Sequence, residues 1–293
     1  MRNQAFAFVK PHAMQSQAVA TYIGDVFEDG GVRISFTRRM TGPELAASGV
    51  VDRHFARLAA GAAYAGAAPL ETADEGREAF KRTFNETWDK ALKTGRIVGA
   101  DLARAKLKDV DAKGLCTAWA NLGAIEVGPD LYVAWFEDAA CYVLNGFYPA
   151  IRESYLAPGA AIQAMLLDFE MPWREFHETI VGADHPEAAL EESIRGYLYD
   201  RAGALEMIID PVDNILHASA SPLDALREKT IWLDEAQWRG DPLLAALAQR
   251  TGREPHALVA QVCARAADPA VQARFADMDT ERVAEDLAAI LAG

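Results

Sequence analysis

His217 lies in the segment Asn214-Ile215-Leu216-His217-Ala218-Ser219-Ala220-Ser221. Its neighbours are of the kinds that make an imidazole a phosphoryl carrier. An imidazole becomes a good nucleophile when one ring nitrogen is tied down and the other keeps its lone pair. Glu228 follows eleven residues later, where a short helix would return its carboxylate to the ring. Ser219 is placed to bridge the two. A lone histidine is more often structural or simply exposed, but this one has both a carboxylate and a hydroxyl at useful spacing. The implied chemistry is an attack by neutral imidazole on a terminal phosphorus. Glu228, directly or through Ser219, would hold the far N–H and stabilise charge growing on the ring. Passage of the group to a second acceptor would give ping-pong kinetics.

The elements that must position these groups show in the hydrophobic pattern. Ala5-Phe-Ala-Phe-Val9 reads as a buried strand ending at Lys10-Pro11. Gln17 to Glu28 reads as a helix with Val19, Ile23, Val26 and Phe27 on one face, stopped at Gly30-Gly31. Val32 to Met40 alternates as a second strand, and Thr41-Gly-Pro-Glu44 is a capping box. This β-α-β-α opening predicts an α+β chain of ferredoxin-like βαββαβ topology, an antiparallel sheet with helices. A helix is expected from Thr72 to Thr94, with Phe80, Phe84, Trp88 and Leu92 as its apolar stripe. A hairpin is expected over 124–136. Farther on, 160–170 is apolar enough for a central strand, 173–181 and 222–231 read as helices, and 234–293 reads as several short helices.

Lys10-Pro11, Ser193-Ile194-Arg195-Gly196 and Asn214-x-x-His217-x-Ser219, in this order, resemble the nucleoside diphosphate kinase family. That family has a lysine–proline after its first strand, an I-R-G segment and an N-x-x-H-G-S catalytic segment. The resemblance implies a core of 1–56 and 146–233, an insertion in the nucleotide lid over 57–145, and a helical C-terminal extension over 234–293. It implies His217 as the residue phosphorylated by ATP, with Glu228 and Ser219 behind it. Lys10 would reach the phosphates and ribose, Arg195 would present a fork to phosphate oxygens, and Asn214 would contact ribose hydroxyls. Without the resemblance these read as a solvated strand end, a surface arginine and a turn residue. Phe147 or Tyr148 would cover the base, the alternative being core packing. Mg²⁺ is expected as the nucleotide's companion, with no dedicated metal site on the protein. The partners implied are ATP or another nucleotide and a phosphoryl acceptor. The family forms hexamers; the insertions disturb those surfaces, so a homo-oligomer, a dimer, is expected.

Several positions depart from the family. Ala218 replaces a glycine, Ala220 stands where an acidic residue is common, and Phe55 stands where a tyrosine hydroxyl lies near the histidine. Glu178 and Asp184 occupy the places of a phosphate-binding arginine and threonine. An unpaired carboxylate facing a triphosphate repels it. Arg174, one turn earlier, is placed to replace the lost cation; alternatively Asp184 holds a metal ion or a different substrate. His177 and His185 flank this segment as possible contacts. Two further readings follow: a kinase of a non-nucleotide metabolite on the same scaffold, or a nucleotide-binding regulatory protein without turnover.

The bulk composition sets outer bounds. A net charge of −14 argues against nucleic acid as a partner. Cys116, Cys141 and Cys263 match no zinc spacing and read as thiols in a reducing compartment. No apolar run reaches membrane-spanning length and no leader pattern opens the chain, so a soluble, cytoplasmic protein is expected.

Overall fold

The structure, a computed structural model, describes residues 2–66, 69–107, 110–210 and 213–292. Its strands are β1 (Asn3–Val9), β2 (Arg33–Thr41), β3 (Ile97–Gly99), β4 (Ile125–Gly128), β5 (Leu131–Phe136), β6 (Cys141–Leu144), β7 (Ala161–Phe169) and β8 (Leu216–Ala218). The chain divides into two compact units, 1–44 with 158–293, and 45–157. The second unit is thus wider than the 57–145 stretch read from the sequence. The residues from 234 onward belong to the first unit.

In the first unit the sheet order is β2-β7-β1-β8, with every neighbouring pair antiparallel. With the helix Gln17–Asp29 between β1 and β2, and the helical run 173–200 between β7 and β8, this is the βαββαβ ferredoxin-like arrangement. β1 is buried along its whole length because it lies between β7 and β8. Alternation splits its side chains between two faces. Ala5, Ala7 and Val9 pack under Val19, Ile23 and Phe27, with Ile194 and Leu198 in the same cluster. Each such buried Val, Ile or Phe contributes about 1.5–3 kcal/mol relative to exposure. Phe6 and Phe8 take the opposite face, where both rings meet Trp232.

The capping box reading holds: the Glu44 carboxylate accepts from the Thr41 backbone N–H and hydroxyl, both at 2.7 Å. The helix Pro222–Trp232 starts on Ser221, whose side chain accepts from the Asp224 backbone N–H. It buries Leu223 and Leu226 among Leu243, Leu244, Leu258, Val262 and Phe275 of the C-terminal helices. The tail therefore braces the helix that carries Glu228.

The second unit has its own mixed sheet, order β3-β6-β5-β4, with β3 parallel to β6. The expected helix over 72–94 is two helices, Asp74–Phe84 and Trp88–Lys93. Asn85 ends the first in the left-handed region at φ 52°, and Thr87 caps the second on the Lys90 N–H. The aromatic stripe survives the break as a cluster, since Phe80 packs on both Phe84 and Trp88. Among the described residues no helix is long and apolar enough to cross a membrane.

Candidate active site

β8 is the edge strand on which His217 rides. Its register places His217 opposite Phe8, with Leu216 opposite Val9 and Ala218 opposite Ala7. Leu216 and Ala218 go into the core, so His217 points to the other face. There the Phe8 ring stacks on the imidazole at 4.7 Å between centroids, inclined by 25°. The turn before β8 is strained. Ile215 has φ 72°, and the Leu216 N–H reaches back to the Asn214 carbonyl at 2.8 Å, a classic γ-turn around a β-branched residue. The Ile215 carbonyl accepts from the Lys10 N–H at 2.8 Å, which joins the end of β1 to the start of β8.

His217 Nε2 lies 3.0 Å from Glu228 Oε1, and the Ser219 hydroxyl donates to Glu228 Oε2 at 2.5 Å. Ser219 Oγ also accepts from the Phe6 N–H at 3.2 Å and lies 2.9 Å from the Phe6 carbonyl; the shorter contact, to the carboxylate, takes its single proton. Ser219 is fully buried and Glu228 nearly so, while 22% of the His217 side chain remains accessible. A carboxylate facing Nε2 puts the proton of a neutral imidazole there and leaves Nδ1 as the basic nitrogen. The order of groups expected from sequence is therefore present, with Glu228 meeting the ring directly and Ser219 behind it. One turn earlier on the same helix, burial and then Glu228 push the Asp224 carboxyl above its usual range. Gln272 of the C-terminal helices donates to it at 2.8 Å.

Lys10 lies where β1 ends, close to charged groups of both signs. Burial and then Arg195 lower its ammonium to about 8, against Asp213, Asp184 and Asp210, which raise it. His12 faces Asp213 at 3.6 Å, and burial depresses its imidazole. Asn214 donates to the Asp184 carbonyl at 3.0 Å, and its buried Oδ1 has no hydrogen-bond partner among the described residues. Pro211 and Val212, shortly before Asn214, lie outside the described residues.

Arg195 is held by acceptors of the protein itself. It is 2% exposed and donates from Nε and Nη2 to the Leu216 carbonyl, and from Nη1 to the Gly182 carbonyl and Asp184 Oδ1. Four of its five N–H donors are thus engaged. The residue locks the histidine strand to the 182–184 segment. Its glycine follows from packing: a Cβ on Gly196 would fall 2.1 Å from the Leu190 carbonyl oxygen. Gly182 sits at φ 93°, close against Ser193, and allows its carbonyl to meet the guanidinium. Burial lowers the Arg195 pKa while Asp184 opposes it. Burial pushes Asp184 up but is outweighed by Arg195, His177 and His217, so the carboxyl sits below its ordinary range.

Other expected contacts resolve differently. Arg174 is exposed and pairs with none of the site carboxylates among the described residues. Phe55, Phe147 and Tyr148 belong to the second unit. Tyr148 is fully buried and its hydroxyl donates to Asp52 at 2.6 Å, which excludes it as a stacking platform. Phe147 is half-buried against Trp119 and Tyr132, and Phe55 packs edge-on to Tyr148 and Tyr155. His185 is exposed and faces Glu187. Sequence reasoning missed Phe8, Asp213 and Asp277. Phe8 had a signal, since it lies two residues before Lys10 on the strand; Asp277, from the tail, had none.

No family model matches the chain. Curated nucleoside diphosphate kinases from Streptococcus pneumoniae, among them strains Hungary19A-6 and CGSP14, are 35% identical over 90 residues, 30% of this chain. The match spans 59% of those relatives' length. Among solved structures, a nucleoside diphosphate kinase from Encephalitozoon cuniculi aligns over 79% of this chain and 90% of its own, at 14% identity and TM-score 0.40. An NDP kinase from Pyrobaculum aerophilum aligns over 80% and 98%, at 17% identity and TM-score 0.38. Over those 90 residues the sequence is similar to nucleoside diphosphate kinases, the family that its lysine–proline, I-R-G and histidine segments resemble.

Proposed function

We propose that the chain is a nucleoside diphosphate kinase-like phosphotransferase that takes the γ-phosphoryl group of ATP onto His217 and passes it to an acceptor. The observation that carries this reading is the His217–Glu228–Ser219 arrangement. Nε2 is held by a buried carboxylate, that carboxylate is oriented by a buried hydroxyl, and Nδ1 is left as the nucleophile. As the P–N bond forms, positive charge grows on the ring and Glu228 stabilises it at 3.0 Å. Phe8 stacked on the imidazole keeps the ring plane fixed. Lys10 supplies positive charge for the transferring group, and Asn214 Oδ1 is a buried acceptor suited to a ribose hydroxyl. Mg²⁺ enters with the nucleotide. The carboxylates of Asp210 and Asp213, close enough to Lys10 to raise its pKa, are hard oxygen donors of the kind such an ion would take. Assembly as a homodimer, in the cytoplasm, completes the reading; β2 supports it as an edge strand largely open to solvent, with Ile34 exposed.

Incubation with γ-labelled ATP tests the proposal. It requires label on the protein that is lost in acid and kept in alkali, as a phosphorus–nitrogen bond on histidine demands. ADP binding with no label at all would instead favour the regulatory reading.

Two further outcomes are expected. The Lys10 ammonium, lowered to about 8, loses its proton as pH rises through that value. A bound polyphosphate restores the charged form, so ADP, whose phosphates are fully ionised above pH 8, should bind with proton uptake by Lys10 in that range. Calorimetry in buffers of different ionisation enthalpy reads this directly. Asp184→Asn removes the carboxylate that occupies Arg195 Nη1 and repels phosphates. It should strengthen ADP binding about 3- to 10-fold, measured by the same titration; unchanged affinity would place Asp184 away from the phosphates.

A further inference from the structure

A cavity of about 360 Å³ opens beside the histidine loop, with His177, Glu178 and Asp277 on its polar side and Ala183, Ala189 and Leu190 on its apolar side. Its size falls within the range of small-molecule sites. His177 belongs to the π-helical turn Phe176–Val181, a local irregularity that recurs at functional positions. Its Nδ1 lies 2.8 Å from Asp277 Oδ1. A carboxylate on Nδ1 holds the proton there and makes Nε2 the basic nitrogen. Asp277 comes from the C-terminal tail, and its backbone N–H donates to the Ala220 carbonyl at 2.9 Å, next to Ser219. The dyad is thereby tied to the histidine loop. Asp184 lies within electrostatic reach of both imidazoles, His177 and His217.

The lining determines what fits. Its charged groups are Glu178 and Asp277, and among the described residues it contains no lysine or arginine. A nucleoside diphosphate would bring two or three negative charges to this wall, which repels them. A neutral or cationic compound meets no such penalty, and an ammonium group gains from Glu178. A base is also superfluous for a terminal phosphate oxygen, which is already ionised, whereas an alcohol must lose its proton as it attacks.

We propose that this cavity binds the phosphoryl acceptor, that the acceptor is a hydroxyl compound bearing an ammonium group, such as an amino sugar or amino alcohol, and that His177 is its general base. The proposal rests on phospho-His217. The acceptor oxygen attacks phosphorus, and the P–Nδ1 bond of His217 breaks, returning its electron pair to the ring. The hydroxyl proton passes to His177 Nε2 and then to water, while Asp277 stabilises the imidazolium. His177 touches the reacting hydroxyl and is catalytic; Asp277 is a positioning residue.

The test separates the two half-reactions. Phosphoenzyme is made with γ-labelled ATP, freed of nucleotide, and chased with ADP, glucosamine, ethanolamine or glucose. Discharge by glucosamine or ethanolamine, faster than by glucose, is expected. In His177→Ala the amine-alcohol chase should fall at least about 100-fold more than the ADP chase, and in Asp277→Asn about tenfold more. Circular dichroism and thermal melting establish that both variants are folded, and His177→Gln serves as a second, shape-preserving variant. Discharge by ADP alone, with every hydroxyl compound inert, overturns the proposal while leaving phospho-His217 intact. An equal fall in both chases overturns the role of His177. Absence of label on the wild type removes the parent reading itself.

Discussion

His217→Ala is expected to abolish acid-labile labelling by γ-labelled ATP and to lower turnover by on the order of 10⁴-fold or more, because the group that carries phosphorus is gone. The neighbouring substitutions separate orientation from nucleophilicity. Glu228→Gln keeps the shape and a hydrogen bond to Nε2 but removes the negative charge that faces the ring at 3.0 Å. An amide oxygen still accepts the Nε2 proton, yet it stabilises the growing imidazolium far less. A slowing of about 100-fold in label formation is expected. Ser219→Ala leaves Glu228 Oε2 without its 2.5 Å donor, so a smaller loss, about tenfold, is expected. Groups that act as a unit are not additive. The double variant His217→Ala with Glu228→Gln should therefore be no slower than His217→Ala alone. Label formation in Glu228→Gln at the wild-type rate would show that the carboxylate merely supports the helix Pro222–Trp232. Persistence of label in His217→Ala would remove the phosphohistidine reading.

The parts of this site that were legible in the sequence are those set by local pattern. The strand before Lys10, the helix that brings Glu228 back to His217, and the Thr41–Glu44 capping box all follow from periodicity and side-chain reach within a few residues. The role of Arg195 was not legible. An I-R-G motif does not show whether its guanidinium is spent on the Leu216 and Gly182 carbonyls, which depends on pairing between segments 13 to 21 residues away. The γ-turn at Ile215 was hidden for the opposite reason: propensity argues against a β-branched residue at positive φ, and only the surrounding sheet enforces it. The break at Asn85 was masked by an aromatic stripe that continues across it. Asp277 lies 100 residues from His177 in sequence, and no spacing rule reaches that far. Tail residues therefore enter the site through tertiary packing alone.

That packing has a weak point with a large expected effect. Lys229 is fully buried on the helix that carries Glu228, and Asp241 beside it is 2% exposed. The ammonium donates to the Gln4 carbonyl at 3.1 Å, to Gln4 Oε1 at 2.8 Å and to Asp241 Oδ2 at 2.7 Å. Asp241 Oδ1 meanwhile caps the helix Pro242–Thr251 through the Leu243 and Leu244 N–H groups. Asp241→Ala therefore removes a helix cap and strands a buried ammonium. A loss of about 3–5 kcal/mol is expected from the uncompensated charge, with about 1 kcal/mol more from the cap. Lys229→Met should cost less, because Asp241 keeps two backbone donors. Combining Lys229→Met with Asp241→Asn retains the cap and removes both charges, so stability should recover to within about 1–2 kcal/mol of the wild type. Urea unfolding followed by tryptophan fluorescence, with Trp232 three residues beyond Lys229, measures all three variants. The recovery decides the cause: if the double variant remains as unstable as Asp241→Ala, the loss lies in packing and not in the stranded charge. Because Glu228 precedes Lys229 directly, Asp241→Ala should also slow labelling of His217 at temperatures where the chain is still folded. The buried ion pair thus links the C-terminal helices to the orientation of the imidazole.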